Sequence, residues 1–328
     1  MDQRIGERQR WAWLASGLSV AAAACTCGFG WIWVLGAGLI TTVYYIYIDK
    51  KLGSAGLAAM LPRNLGRSGQ ILAIITMLWL VFAMAWVANL ADAAFPMVDG
   101  FPVLGWTVLA LAAWGSRKGV GACARSAGVL CLFLAALYGV IIVFAIPDVQ
   151  IGYLKPDGQW QSSILAIGVF LLPATVWYVP CTRSKKQLAW QMALVLPVFA
   201  GVLAAVTVGV LSPELAGSMS APLYSLAQSV SLFGVVERIE PLLSAAMTIG
   251  VFCLASAMAC ACRCLWGQAR HWKWSGAACC IAAGILMGWV RNVDLELITA
   301  GNFLFMAAIP VITLWIGNLK EKRARNGV

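Results

Sequence analysis

The sequence predicts an all-α polytopic membrane protein of about ten transmembrane helices, arranged as two inverted halves of five with both termini in the cytoplasm. The first observation is composition: 62% of the 328 residues are hydrophobic and 11% charged, with a mean hydropathy of +0.85, whereas a soluble domain carries about 25% charge. That excludes a water-soluble globular protein. The second is the length of the apolar runs, each near the roughly 20 residues that a helix rising about 1.5 Å per residue needs to cross hydrocarbon about 30 Å thick. The third is the placement of Lys and Arg. A formal charge of +10 raises the question of nucleic acid, but the basic residues sit between apolar runs, so the membrane is the partner they indicate.

Trp11–Ile48 carries no charge and is about twice the length of one crossing. It predicts two spans, turning at Gly28-Phe29-Gly30, where paired glycines favour a break. The later spans are expected at Gln70–Ala94, Phe101–Ser116, Cys123–Ile146, Gln161–Pro180, Leu188–Leu211, Pro241–Cys262, Trp274–Val290 and Leu297–Gly317. Longer loops are expected at Asp49–Gly69 inside and Ser212–Glu240 outside. Within the second, Ala221–Val236 is too short and too polar to span, and suits an interfacial helix or a lid over an outward-facing cavity.

Lys and Arg collect on alternate sides only if the number of crossings is right. With the N-terminus inside, the cytoplasmic segments hold Arg4, Arg8 and Arg10; Lys50, Lys51, Arg63 and Arg67; Arg117, Lys118 and Arg125; Arg183, Lys185 and Lys186; Arg263, Arg270 and Lys273; and Lys320, Lys322, Arg323 and Arg325. Lys155, Arg238 and Arg291 fall outside, where Asp92, Asp99, Asp148, Asp157, Glu214, Glu237, Glu240, Asp294 and Glu296 gather. One missed span would scramble every later loop. The same alternation favours an uncleaved first span over a signal peptide, because cleavage would leave the next helix starting outside with nothing translocated before it. Tryptophans agree, with Trp11, Trp114, Trp274 and Trp315 near the inner boundary and Trp31, Trp106 and Trp160 near the outer one.

An odd number of helices per half makes the second half enter from the opposite side, the topology of an inverted repeat. The chain is expected to be a single transmembrane domain over 1–328, with a first repeat at about 11–147, a second at about 161–317 and a basic cytoplasmic tail at 318–328. In such repeats the first helix of each half is interrupted near the midplane, and the freed backbone groups hold substrate. Small or helix-breaking residues stand in corresponding places, from Ser16 and Gly17 to Gly28 in the first span and at Gly168 and Pro173 in the sixth. Ala24, Cys25, Thr26, Gly168, Phe170 and Pro173 are therefore candidate ligand-binding residues, where backbone dipoles can meet the carboxylate and ammonium of an amino acid.

Catalytic material is sparse. A single His and the lack of a carboxylate cluster within any apolar run leave little for acid–base chemistry or a metal or haem site, so no enzyme activity, cofactor or metal is expected. Most of the 11 Cys lie in apolar segments, where a thiol behaves as a small buried hydrophobe. No Asp, Glu, Lys or His falls at the centre of a span, which disfavours a proton symporter and leaves a ligand sensor or a carrier using backbone carbonyls. Polar candidates remain near the span ends. Glu237, Arg238 and Glu240 stand at the top of the eighth span, as an ion-paired gate, a subunit contact or a solvated helix start. Arg125 begins the fifth span, as an inner gate or a side chain snorkelling to phosphates. Asn89 and Asp92, near the outer end of the third span, are placed to face a cavity or to mark the interface.

Phe233-Gly-Val-Val-Glu-Arg-Ile-Glu-Pro241 opens the eighth span, and Ser116-Arg-Lys-Gly-Val-Gly-Ala-Cys-Ala-Arg125 joins the fourth to the fifth. With Pro173 in the sixth span and the basic tail, these patterns make the chain resemble the spore germination permease family. Those proteins are the B-type subunits of nutrient germinant receptors, within the amino acid, polyamine and organocation transporter superfamily. The first pattern looks like the family's Glu-Arg-x-Glu motif, and the second like its Arg-Lys-Gly and Ala-Arg elements. The resemblance implies a LeuT-like fold, a small nutrient ligand of amino acid type, a partner membrane subunit, a lipoprotein subunit and residence in the inner spore membrane. It also implies a gating or coupling role for Glu237, Arg238, Glu240 and Arg125. An ion-coupled secondary transporter of amino acids shares the fold and is the alternative reading. One departure stands out: where the family has a Gly-rich first-span element ending in Leu-Pro, this chain has Ala21-Ala-Ala-Ala-Cys-Thr-Cys-Gly28.

Overall fold

Each apolar run of the sequence becomes a helix, because in hydrocarbon a backbone without water must satisfy its N–H and C=O groups internally. The computed structural model describes residues 5–25, 30–52, 54–93, 102–154, 161–182, 188–219, 222–229, 240–267 and 274–325. A two-residue strand β1 (Ile5–Gly6) leads into α1 (Glu7–Ala24), followed by α2 (Trp31–Leu52), a short α3 (Leu57–Leu65), α4 (Arg67–Ala93), α5 (Val103–Lys118) and α6 (Val120–Ala145). The second half begins with α7 (Gln161–Phe170), which passes into a 3-10 segment (Leu172–Tyr178) and a short strand β2 (Cys181–Thr182). Helices α8 (Leu188–Leu211), α9 (Pro213–Ser218), α10 (Pro222–Ser229), α11 (Glu240–Gly267) and α12 (Ser275–Val290) follow. The last span is α13 (Leu295–Asn302), a π-helical turn (Phe303–Ala308) and α14 (Ile309–Arg325).

Among the described residues six helical stretches are long and apolar enough to cross a membrane: Trp31–Leu52, Arg67–Ala93, Val120–Asp148, Gln161–Tyr178, Glu240–Gly267 and Leu295–Lys320. Helix α12 and the Val195–Leu211 part of α8 are shorter apolar helices. Helices α1 and α5 have 18 and 16 residues, or about 27 and 24 Å of rise. Every expected span therefore has its helix, and the protein is an all-α polytopic membrane protein. Two expectations need correction. The Asp49–Gly69 stretch is no plain loop, since it contains α3, which buries Leu57, Ala58 and Leu61. The interruption expected between Ser16 and Gly28 does not fall at Ser16 and Gly17, where α1 is unbroken; the helix ends at Ala24, and residues 26–28 lie outside the described residues.

Helix position follows side-chain size. In a membrane no hydrophobic force drives helices together, so close van der Waals packing selects small residues at the contacts. Helix α11 lies innermost, packed against α1, α4, α5 and α6. Its Ala255, Ala257, Ala259, Cys260, Ala261 and Cys262 are fully buried. Helix α6 presents Leu132 (73% exposed) and Phe133 (58% exposed) outward, the composition of a lipid-facing surface. On the outer side, α10 buries Leu223, Leu226 and Ala227 and packs on α8 and α11, so it is docked on the bundle instead of lying free among headgroups. At the opposite end β1 pairs in parallel with β2, Ile5 opposite Cys181 and Gly6 opposite Thr182.

Candidate functional site

The sixth span loses its α-helical ladder where the sequence places a proline. Pro173 has no N–H, so the carbonyl four residues earlier has no donor. The Ala174 N–H turns to the Leu171 carbonyl at 3.0 Å, which releases the carbonyl of Phe170. Distant side chains take up the freed groups. The Tyr45 hydroxyl donates to the Phe170 carbonyl, and Asn302 Nδ2 donates to the Gly168 carbonyl at 2.9 Å. Trp79 Nε1 in turn donates to Asn302 Oδ1 at 3.2 Å. The π-helical turn of the last span is served likewise: Tyr178 donates to the Phe305 carbonyl at 2.7 Å and Tyr44 to the Met306 carbonyl. Gly168 is required by this close packing, since a Cβ there would lie 2.8 Å from Thr299 Cα.

Helix α1 faces this segment intact. Ser16 and Ser19 donate to the Ala12 and Ser16 carbonyls at 2.9 and 2.7 Å, so both hydroxyl protons are used inside the helix. The contact with the sixth span is made at Gly17, where an added Cβ would lie 3.1 Å from Pro173 Cβ and Cγ and 3.2 Å from Leu254 Cδ1. Ala24, half-buried, ends the helix about 10 Å further out. Cys25 is buried and donates its N–H to the Ala21 and Ala22 carbonyls; Thr26 lies outside the described residues. Of the candidate ligand-binding residues, Gly168, Phe170 and Pro173 thus share the unwinding region, while Ala24 and Cys25 sit at the outer end of α1.

The cytoplasmic end carries a constellation that sequence reasoning missed. Arg10, only 1% exposed, pairs through Nη1 with Asp49 Oδ1 at 3.0 Å. Its guanidinium lies 4.7 Å from the centre of the Trp177 ring, and Trp11 meets Trp177 edge-on at 5.9 Å. Beneath them Ile5 N–H donates to the Pro180 carbonyl at 3.2 Å and Thr182 Oγ1 to the Ile5 carbonyl at 3.1 Å. Burial pushes the Cys181 thiol above its ordinary pKa, with Arg10 opposing the shift. The start of α1, the end of α2 and the end of the sixth span are therefore latched by one ion pair, one cation–π contact and a two-residue ladder. The sequence held one clue: Asp49 is an acid directly before the basic pair Lys50-Lys51.

The remaining candidates occupy other positions. Arg125 is exposed on α6 and has no acid within ion-pair distance among the described residues. Glu240 is half-buried in the first turn of α11, where the helix dipole favours an acid; Glu237 and Arg238 lie outside the described residues. Asp92 accepts from the Leu104 and Gly105 N–H groups at 3.0 and 3.2 Å, so it caps the start of α5. Asn89 donates to the Met287 carbonyl at 3.0 Å. Both are spent on helix packing. Near the unwound segment, Thr175 Oγ1, Trp177 Nε1 and Trp11 Nε1 are buried without a hydrogen bond among the described residues. Among those residues no group of His, Cys, Asp and Glu is arranged to hold a metal.

No protein-family model and no curated protein matches this chain. Solved structures do. MhsT in complex with L-phenylalanine superposes with a TM-score of 0.62 at 12% identity, over 96% of this chain and 89% of that one. Mhp1, a nucleobase-cation-symport-1 family transporter in a closed conformation with bromovinylhydantoin bound, gives 0.65 at 13%, over 95% and 78%. A substrate-bound, outward-open Na+-coupled sialic acid symporter gives 0.60 at 14%, over 94% and 78%. The chain therefore has the LeuT fold. Its likeness to spore germination permeases rests on the sequence patterns alone.

Proposed function

We propose that the protein binds a small organic nutrient of the amino-acid class beside the Leu172–Tyr178 segment and carries it across the cell membrane by alternating access. The observation that carries this reading is Thr175, fully buried in an unwound span with its hydroxyl unpaired among the described residues. Leaving such a group unsatisfied costs about 1–3 kcal/mol, and the carboxylate or ammonium of a small ligand would satisfy it. The latch of Arg10, Asp49 and Trp177 is the matching inner gate, strong enough to hold one state and small enough to open. The similar proteins are MhsT in complex with L-phenylalanine, Mhp1 with bromovinylhydantoin bound and a sialic acid symporter, which supports a small organic ligand.

A second reading uses the same site for sensing. The patterns at Ser116–Arg125 and Phe233–Pro241 support a permease-like subunit of a spore germinant receptor in the inner spore membrane, working with a membrane subunit and a lipoprotein. Ligand occupancy would then shift a conformational equilibrium read by those partners, with Glu237, Arg238, Glu240 and Arg125 as coupling residues. The purified chain in vesicles separates the two. A panel of amino acids is screened for thermal stabilisation, and the best is tested for uptake under an imposed ion gradient. Concentrative uptake by the chain alone, lost in Thr175→Val at normal expression, is the expected result. Binding without flux would favour the sensor; no binding by either measure would sink both.

A further inference from the structure

At the cytoplasmic ends of α5 and α12, well outside the site above, Trp114, Arg117, Lys118 and Trp274 line a cavity of about 260 Å³. The backbone holds its cations in place. Gly119, at φ 109°, turns the chain from α5 straight into α6, so Arg117 and Lys118 belong to a fixed helix end and not to a loose loop. The Arg117 guanidinium lies 3.5 Å from the centre of the Trp274 ring and 5.5 Å from that of Trp114, and Lys118 Nζ lies 5.9 Å from the Trp114 ring. Arg263 adds a third cation from α11, with Nη1 donating to the Ser116 carbonyl. Among the described residues neither Arg117 nor Lys118 has an acid within ion-pair distance.

This combination differs from an ordinary aromatic belt. Trp114 and Trp274 are 62% and 47% exposed, on the side that the charge alternation makes cytoplasmic, so their rings lie at headgroup depth. A guanidinium whose carbon sits over an indole face still has N–H groups to donate, and a guanidinium edge matches two oxygens of one phosphate. The cavity is slightly smaller than the sites that hold drug-sized ligands, which suits a headgroup. Basic pockets between helices on the cytoplasmic face are suited to anionic lipid headgroups. We propose that Arg117, Lys118, Trp114 and Trp274 form a binding site for the phosphodiester headgroup of an anionic phospholipid from the inner leaflet. The two cations bind the phosphate, and the exposed indoles cover the glycerol and the upper acyl chains.

Native mass spectrometry of the full chain, released from micelles containing dioleoyl phosphatidylglycerol and dioleoyl phosphatidylcholine, tests the assignment. Retention of phosphatidylglycerol is expected to exceed that of phosphatidylcholine and to fall about tenfold to thirtyfold in R117Q/K118Q, the effect of two basic side chains at an anionic surface. Both residues are exposed, so the variant should melt like wild type in phosphatidylcholine alone. Trp274→Leu gives an independent loss through the aromatic wall. K320Q/K322Q removes the same charge from exposed tail positions and should leave retention unchanged. Equal retention of the two lipids, wild-type retention in R117Q/K118Q, or an equal loss in K320Q/K322Q would overturn the site. Displacement of the lipid by millimolar inorganic phosphate would overturn the lipid assignment in favour of a free-anion site.

Discussion

Helix α1 and the α7–Tyr178 segment open the two inverted halves, and they handle the same position in the bundle differently. Helix α1 keeps its ladder past Ser16 and Gly17, with both nearby serines bonded back to their own helix. The sixth span unwinds after Phe170, and its released carbonyls are claimed by Tyr45 and Asn302 from other helices. Small residues allow a break but do not force one; Pro173 removes a donor and does. The asymmetry places the adaptable backbone on one side only, against a smooth α1 surface at Gly17. The two elements are then fastened together at their cytoplasmic ends by Arg10, Asp49 and Trp177.

The largest effect is expected at that fastening. Asp49→Asn removes the acid that pairs directly with buried Arg10 and leaves Glu7, one turn earlier on α1, as its nearby negative charge. Breaking a buried pair costs up to about 3–5 kcal/mol. The thermal midpoint should fall, and Cys181, 2% exposed in the latched state, should react with a membrane-impermeant maleimide from the cytoplasmic side at least about tenfold faster than in wild type. Unchanged labelling would mean that the ion pair latches nothing.

Next comes the α1 face itself. Gly17→Leu inserts a side chain where a Cβ alone meets Pro173 at 3.1 Å, an overpacking cost of about 1–3 kcal/mol, and should abolish ligand-dependent stabilisation. Gly36→Ala in α2, where a Cβ has nothing within 4 Å, should be neutral or slightly stabilising. If Gly17→Leu binds as wild type does, α1 is no wall of the site.

A comparable or smaller loss, about 1–3 kcal/mol, is expected for Asn302→Leu. It leaves the Gly168 carbonyl and the Trp79 indole N–H without their partner. Hydrogen exchange should rise across residues 171–179 and stay unchanged within α1, because only the second half depends on borrowed partners. Equal changes in both would erase the contrast.

The smallest effect is a pH profile. Only the thiolate attacks a maleimide, and burial holds the Cys181 pKa above its ordinary value. Its alkylation should therefore rise with pH at a later point than that of an exposed cysteine, whose pKa is about 8.5. Asp49→Asn, which opens the surroundings and removes a nearby negative charge, should move the profile back toward lower pH. A profile in wild type that matches a free thiol would show that Cys181 is not held in the clasp.

Much of the architecture was legible in the residues. Spans such as Leu188–Leu211 and Trp274–Val290 reappear within a residue or two, since hydrocarbon thickness fixes length and apolar runs are read locally. Pro173 marked the unwinding correctly for the same local reason. The site was less legible. Arg10 reads as one more cytoplasmic topology marker, Asp92 as a cavity or interface acid and α3 as a loop, because a one-dimensional pattern does not distinguish a charge facing water from one facing a partner far along the chain.

By itself, then, the sequence determined that this chain lies in a membrane, how its apolar runs divide into ten helices and which loops carry positive charge. Those properties depend on transfer free energies of short segments and on charge close to each span. Tertiary structure alone decided that Arg10 meets Asp49 across 39 positions, that Asn302 serves Gly168 across 134, and that α1 stays whole while its counterpart unwinds. In hydrocarbon every freed backbone group must find a donor or acceptor somewhere in the protein, and packing in three dimensions settles which side chain supplies it.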